Sequence, residues 1–191
     1  MIHLNSDLLI GKGSERSCYS HPLNSNNCIK VIHTWSQRTK SRCSREIRYI
    51  KKYKTQLRGF DLIPNYYGTV ETNLGTGYIF QRIKDWNGNN SEKLSNYIKN
   101  DIEKNNIGLL ITNMYKTFLV NKVLVSDLHA GNILVNKTRS ESTIKLILID
   151  GFGNSDLIKI CDYSSFFMKK KLIRKFTRMK KHLGFPYQDI Y

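Results

Sequence analysis

Hydrophobic and polar positions alternate differently in the two halves of the chain. In the first 83 residues, short apolar runs alternate with turn-forming residues, which predicts strands at 8–10, 28–32, 66–71 and 78–80. The stretch 44–53 differs, because Ile47, Ile50 and Tyr53 recur at helical spacing between charged residues. The pattern therefore predicts a strand-rich first half that contains one helix.

The second half follows a polar stretch at 85–90 and has mainly helical spacing. Helices are predicted at 91–100, 107–122 and 166–183. Two β-prone runs, 132–135 and 144–150, lie between them on either side of a polar loop at 136–143. These runs predict a hairpin whose strand ends bring Asn132 and Asp150 side by side.

Length and composition are compatible with one ordinary globular unit. The 191 residues are 40% hydrophobic, enough for a buried core, so we expect a single α+β domain over 1–191. Its strand-rich lobe would cover 1–83 and its mainly helical lobe 84–191. The four cysteines form no CxxC pair, and neither a leader nor a long apolar segment stands out, which favours a reduced, cytoplasmic protein.

The chain is strongly basic, with 31 Lys and Arg against 15 Asp and Glu. The formal charge of +16 attracts anions such as nucleotides, RNA or acidic lipids, without choosing among them. Many of the cations fall in the predicted helix 166–183, around an apolar stripe formed by Leu172, Phe176 and Met179. Two interpretations stay open: a terminal helix with solvated lysines, or a docking surface for RNA, an acidic protein or a membrane.

The strongest chemical signal is the hexapeptide Asp127-Leu-His-Ala-Gly-Asn132, followed eighteen residues later by Asp150-Gly-Phe-Gly. Phosphoryl transfer needs oxygen ligands for a metal ion and a carboxylate that orients the attacking hydroxyl and accepts its proton. Asp127 suits the carboxylate, and Asn132 and Asp150 suit the metal. The alternative for Asp127 and Asn132 is an Asx-stabilised turn. The combination resembles the catalytic loop and metal-binding segment of the protein-kinase superfamily, especially its small-molecule and atypical branches.

Upstream residues follow the order that this resemblance implies. Gly11 and Gly13 stand in a turn after the first predicted strand, where kinase-like proteins cover the nucleotide phosphates. Lys30 lies within the next predicted strand and would bind those phosphates, and Glu46 would pair with Lys30 and orient it. The alternatives are an ordinary hairpin turn for the glycines and a solvated helix charge for Glu46.

The chain also departs from the kinase pattern. Arg16 replaces the third glycine of the glycine-rich turn, and Val125 stands where a histidine usually precedes the catalytic aspartate. His129 occupies the place of a lysine beside the transferred phosphate, and could equally be a packed loop histidine. About 38 residues follow Gly153 without an APE-like segment, which argues against the usual binding of peptide substrates.

Further blocks narrow the resemblance to one family. Residues 11–22 with 28–31, and residues 63–72 with 75–78, are similar to the YrbL family, also called PhoP regulatory network proteins. This resemblance covers nearly the whole chain. It implies a compact, bacterial, kinase-like fold of two lobes: an N-lobe with an antiparallel sheet and one helix, and a reduced, mainly helical C-lobe.

Two functions from different classes are compatible with these residues. The first is an ATP- and Mg²⁺-dependent phosphotransferase whose acceptor could be a lipid- or saccharide-linked hydroxyl, a small metabolite or a protein side chain. The second is a pseudokinase or regulatory module that uses nucleotide as a structural ligand and acts through protein, RNA or membrane contacts. Arg16, Val125 and the short helical lobe favour the second, whereas the retained Asp127, Asn132 and Asp150 favour the first. The oligomeric state stays open.

Overall fold

A five-stranded antiparallel sheet forms the first half of the protein. The computed structural model describes residues 1–53, 61–100, 104–139, 143–154, 161 and 164–185. The strands are β1 (Leu9–Lys12), β2 (Arg16–Ser20), β3 (Asn27–Ile32), β4 (Tyr66–Thr72) and β5 (Gly75–Gln81), in the spatial order β1-β2-β3-β5-β4. All four strands predicted from the sequence are confirmed.

Strand β2 was not predicted, because its residues are mostly polar and carry no clear apolar alternation. Tertiary pairing forms it: β2 runs antiparallel to the central strand β3, with Arg16 opposite Ile32 and Cys18 opposite Lys30. The consequence for the site is direct. Arg16 begins a strand that lies beside the strand carrying Lys30.

Helix α1 (Gln37–Tyr53) follows β3 and begins earlier than the predicted 44–53. The Ser36 hydroxyl accepts a hydrogen bond from the Thr39 N–H at 3.0 Å, which satisfies one of the unpaired donors at the helix start. One face of α1 buries Cys43, Glu46 and Ile47. Glu46 therefore points into the protein, unlike the solvated charges beside it.

The second half combines a small antiparallel sheet with helices. The sheet contains β6 (Glu92–Lys93), β7 (Ile133–Lys137) and β8 (Ile144–Leu148), and the helices are α2 (Leu94–Tyr97), α3 (Lys104–Val120) and α4 (Ser165–His182). The predicted β7–β8 hairpin is confirmed, although residues 140–142 of its loop lie outside the described residues.

The helix predicted at 91–100 is wrong in its first part. Glu92 and Lys93 pair with Val135 and Leu134 as an edge strand, so helix begins only at Leu94 and tightens to a 3₁₀ turn over Ile98–Asn100. Pairing with β7 outweighs the local helical preference here.

Helix α4 packs its apolar stripe against α3, as the sequence predicted. The Phe176 ring meets Tyr115 and Phe118 in edge-on contacts, with centroids 5.5 and 5.9 Å apart. Leu172, Phe176 and Phe118 are fully buried, and each such side chain contributes about 1.5–3 kcal/mol to the core. Within the described part of the chain, no helix is both long and apolar enough to cross a lipid bilayer.

Candidate active site

Backbone hydrogen bonds hold the loop that carries Asp127 against the segment that follows Asp150. The Gly151 carbonyl accepts from the Ser126 N–H at 2.8 Å and from the Asp127 N–H at 3.3 Å. Gly151 has φ +80°, and a Cβ atom at this position would lie 2.4 Å from the Asp127 carbonyl oxygen. Only glycine fits this contact, so Gly151 fixes the distance between the two segments.

The hairpin brings Asn132 to the same place. Its carbonyl accepts from the Ile149 N–H at 2.8 Å, which sets Asn132 beside the residue preceding Asp150. Its side-chain Nδ2 donates to the Asp127 carbonyl at 3.1 Å. Because this bond uses the amide nitrogen, the amide oxygen of Asn132 is the atom left for a cation. The structure thus brings Asp127, Asn132 and Asp150 together.

His129 stands next to Asp127 on the exposed side of the loop. Its Nδ1 accepts from the Gly131 N–H at 3.1 Å, and its Nε2 lies 3.8 Å from Asp127 Oδ2. Because Nδ1 is an acceptor here, the ring proton of neutral His129 lies on Nε2, towards Asp127. The separation exceeds a hydrogen bond, so His129 is a neighbour of Asp127 in this arrangement, not its bonded partner.

Lys30 reaches from the sheet to the segment that carries Asp150. Its side chain is buried, and Nζ donates to the Ile149 carbonyl at 2.6 Å and lies 4.8 Å from the centre of the Phe80 ring. The ammonium is therefore next to Asp150, as the kinase resemblance implies. It is not paired with Glu46, the partner expected from the sequence.

Arg16 is the partner of Glu46 instead. Its Nη1 lies 2.8 Å from Glu46 Oε2, and its Nη2 donates to Asp150 Oδ1. One guanidinium thus joins β2, α1 and the segment that carries Asp150. Sequence reasoning noted Arg16 only as a departure from the glycine-rich pattern. Predicting its role would have required strand β2, because Arg16 is the first residue of this strand and its side chain reaches Glu46 and Asp150.

Burial and neighbouring charges together shift the pKa values of Glu46 and Asp150 in opposite directions. Burial raises the pKa of Glu46 above its usual value, although Arg16 opposes the shift. Burial alone would also raise the pKa of Asp150, but Lys30 and Arg16 outweigh it and hold that pKa below its usual value. For Arg16, burial is outweighed by Glu46 and Asp150, which raise its pKa. Asp150 is therefore an anion at neutral pH.

A cleft of about 470 Å³ separates the sheet from the loop that carries Asp127. Residues from both sides line it: Gly13, Arg16 and Glu46 from above, and Asp127, Asn132 and Asp150 from below. The Gly13 N–H donates to the Arg16 carbonyl at 2.8 Å and closes the turn over the cleft, while Gly11 lies in β1 opposite Cys18. The glycine-rich turn thus lies at the mouth of the site.

Asp150 and Asn132 fit a Mg²⁺ ion as ligands. Magnesium prefers oxygen ligands and is commonly held by one or two carboxylates together with phosphate oxygens of the substrate. Asp150 offers an ionised carboxylate, and Asn132 offers its amide oxygen. Among the described residues, no three His, Cys, Asp or Glu side chains converge to hold a metal by themselves. The phosphates of a nucleotide would complete such a site.

Several lysines of α4 are not solvated, contrary to the first interpretation of this helix. Lys171 Nζ donates to Asn154 Oδ1 and Lys175 Nζ to the Ser126 carbonyl, both at 2.5 Å, and Lys180 Nζ donates to Thr112 Oγ1 at 2.8 Å. Lys171 and Lys180 are only 4% and 2% exposed. Helix α4 thus contacts the catalytic loop directly, and its exposed cations are Lys169, Lys170, Arg174, Arg178 and Lys181.

Residues 2–184 match the family model described as PhoP regulatory network protein YrbL. This chain belongs to the YrbL family. The YrbL proteins of Escherichia coli (strain K12) and Shigella flexneri are each 30% identical to it over 181 residues, which is 93% of this chain and 86% of theirs. The family resemblance stated from the sequence is confirmed.

Comparison with solved structures shows the fold. The structure of WbdD with the kinase inhibitor LY294002 superposes with a TM-score of 0.57 over 92% of this chain, at 15% identity. The YrbL-family chain therefore has a two-lobed, kinase-like α+β fold, as predicted. It spans 37% of the length of that WbdD chain, so the likeness concerns only this part of WbdD.

Proposed function

We propose that this YrbL-family protein is an ATP- and Mg²⁺-dependent phosphotransferase of the atypical kinase type. The observation that carries the proposal is the convergence of Asp127, Asn132 and Asp150 on one cleft, with Gly151 locking Asp127 to the segment of Asp150. Lys30 reaches the same segment, because its Nζ donates to the Ile149 carbonyl. A kinase-like fold is compatible with nucleotide binding, and WbdD was crystallised with a kinase inhibitor.

Each residue has one role in this proposal. Lys30 binds the nucleotide phosphates, and Gly11 and Gly13 cover them. Glu46 balances the positive charge of Arg16, with which it is paired. Bound Mg²⁺, held by Asp150 and Asn132, supplies positive charge that neutralises the phosphate oxygens. Asp127, whose side chain is 68% exposed at the cleft, orients the acceptor hydroxyl and takes its proton. The acceptor oxygen bonds to the γ-phosphorus as the bond between that phosphorus and the ADP oxygen breaks.

The class of acceptor is to be identified by experiment. We also propose that the protein is cytoplasmic and that it forms one domain over 1–191, with its two lobes meeting near residues 83 and 84. An anionic partner bound through the exposed cations of α4 also remains a prediction. Charge reversal at Lys169 and Lys170 tests it without disturbing the buried Lys171.

ATP turnover tests the proposed chemistry most simply. With Mg²⁺ and no other acceptor, the native protein is expected to transfer the γ-phosphate of ATP slowly to water and so to form ADP. The Asp127→Asn variant should still bind ATP but form ADP at least about a hundredfold more slowly. Glu92→Gln, an exposed carboxylate on β6, is the matched control and should keep the native rate. Equal turnover by the native protein and Asp127→Asn would contradict a catalytic role for Asp127.

A second function is favoured by one observation, the engagement of Arg16 with both Glu46 and Asp150. A regulatory module that binds nucleotide without transferring phosphate would tolerate this arrangement. It predicts that ATP raises the melting temperature of the native protein while no ADP forms with any acceptor.

A further inference from the structure

Arg16 engages the carboxylate that the proposed function assigns to magnesium. Asp150 Oδ1 accepts from the Arg16 guanidinium and also from the Gly151 N–H at 2.7 Å. A metal ion bound at this carboxylate would lie beside a buried guanidinium. Two cations that share one carboxylate repel each other, and because Arg16 is 13% and Asp150 36% exposed, water screens this repulsion only in part.

We propose that Arg16 and Mg²⁺ compete for Asp150. When the metal and nucleotide bind, Arg16 leaves this carboxylate, and Glu46 exchanges its ion pair with Arg16 for an ion pair with Lys30. The inference rests on the proposed function, since it assigns Asp150 to the metal. The inference extends the proposed function, because the guanidinium of Arg16 would then determine how strongly nucleotide binding depends on magnesium.

Hydrogen bonding in the cluster supports an exchange of partners. Arg16 Nη1 and Glu46 Oε1 are both buried and lack an aligned hydrogen-bond partner among the described residues, which is costly for charged groups. The Arg16–Glu46 contact at 2.8 Å is thus an ion pair without full hydrogen bonding. The arrangement leaves Glu46 with an acceptor atom for a second donor.

Lys30 is the donor within reach of that role. Its ammonium has three protons, and its contacts are a neutral carbonyl, Ile149 O, and the Phe80 ring. Lys30 also interacts electrostatically with both Glu46 and Asp150. Moving Arg16 away would leave Lys30 as the nearest counter-ion of Glu46, which is the pairing expected from the sequence.

Movement of Arg16 would require the turn before it to shift, and this turn is held by hydrogen bonds from the His33 and Thr34 N–H groups to the Glu15 carbonyl at 3.1 and 3.4 Å. Arg16 closes the glycine-rich turn by accepting from the Gly13 N–H, and the turn residues Gly13 and Ser14 are exposed. A shift of this turn would withdraw the guanidinium from Asp150 without breaking the sheet beyond Ser17. The displaced guanidinium would remain over the cleft, beside the phosphates that the glycine-rich turn covers.

The decisive quantity is the ratio of the ADP dissociation constant without Mg²⁺ to that with Mg²⁺, measured by calorimetry on the full chain. Arg16→Gln is expected to raise this ratio by about tenfold or more over the native value, a typical size for coupling between two ligands. Arg42→Gln is the matched control, because Arg42 lines the same cleft but pairs with Glu15 at 3.1 Å. Its ratio should stay within about twofold of native.

Arg16→Lys provides a second variant if Arg16→Gln does not fold. A lysine keeps the charge but cannot span Glu46 and Asp150 with a planar fork, so its ratio should also rise above native, by less. A ratio equal to or below native in both Arg16 variants, with ADP still bound, overturns the competition and leaves the proposed function intact. No ADP binding by any of these proteins overturns both.

Discussion

The two sides of the cleft are held by different forces. Below the cleft, Asp127, Asn132 and Gly151 are joined by backbone and amide hydrogen bonds, and their geometry depends on one glycine contact. Above it, Arg16 and Glu46 are joined by charge, with buried atoms that lack aligned partners. The lower side therefore has one stable arrangement, whereas the upper side can exchange partners when another cation or anion enters.

The largest effect is expected from Gly151→Ala on the lower side. The new Cβ would collide with the Asp127 carbonyl, and alanine disfavours φ +80°, so we expect a loss of about 3 kcal/mol in the free energy of unfolding. Chemical denaturation measures it. Nucleotide-dependent activity should fall as well, because Asp127 is displaced.

Gly88→Ala is the matched control for backbone strain alone. Gly88 has φ +86°, but no atom lies within 4 Å of the position of its added Cβ. Its loss should be about 1 kcal/mol. Equal losses for Gly88→Ala and Gly151→Ala would show that the contact with Asp127 does not hold the lower side together.

The contact that Arg16 makes across the cleft should be visible in the pH dependence of stability, because the pKa values of its two partners, Glu46 above and Asp150 below, are shifted in opposite directions. The pKa of Glu46 is raised, so its contribution to stability is present below the usual glutamate range and is lost as pH rises through the folded pKa. The pKa of Asp150 is lowered, so its contribution is present above the usual aspartate range and is lost as pH falls through the folded pKa.

Glu46→Gln and Asp150→Asn turn this difference into a measurement. Relative to native, Glu46→Gln should gain stability as pH rises through the acidic range, and Asp150→Asn should lose it. Chemical denaturation of both variants and the native protein at several acidic pH values measures the two slopes. Slopes of the same sign would contradict the charge arrangement around Arg16.

The smallest effect concerns the thiols above the cleft. Interaction with the Cys28 thiol, together with the positive charges of Lys30, Arg16 and Arg82, lowers the pKa of Cys18 to about 7 against the effect of burial. The same interaction raises the pKa of Cys28. Alkylation by iodoacetamide, followed by mass spectrometry, should therefore label Cys18 at a rate that rises through about pH 7.

Cys18→Ser should remove this fast reaction, and Cys43→Ser should leave it, since burial raises the pKa of Cys43. A fast reaction that first appears near the usual thiol pKa of 9.0 would mean that the cations above the cleft do not act on Cys18.

The sequence predicted the elements whose signal is local. The hairpin that joins Asn132 to Asp150, the strand of Lys30 and the apolar stripe of α4 all follow from short-range periodicity. The motifs singled out Asp127, Asn132 and Asp150, which the structure brings to one cleft. Strands β2 and β6 were missed because only pairing with a distant strand forms them. The sequence predicted Lys30 as the partner of Glu46, whereas the structure has Arg16 in that role. This pairing was missed for the same reason, since it depends on where β2 places the side chain of Arg16.

Calorimetric titration of ATP, with and without Mg²⁺, into native protein and Asp150→Ala tests the central claim most directly. The native protein is expected to bind ATP more tightly with Mg²⁺, and Asp150→Ala to lose that gain because the principal carboxylate for the metal is removed. Equal magnesium dependence in both proteins, or no ATP binding by the native protein, would contradict the assignment of this cleft as a metal–nucleotide site.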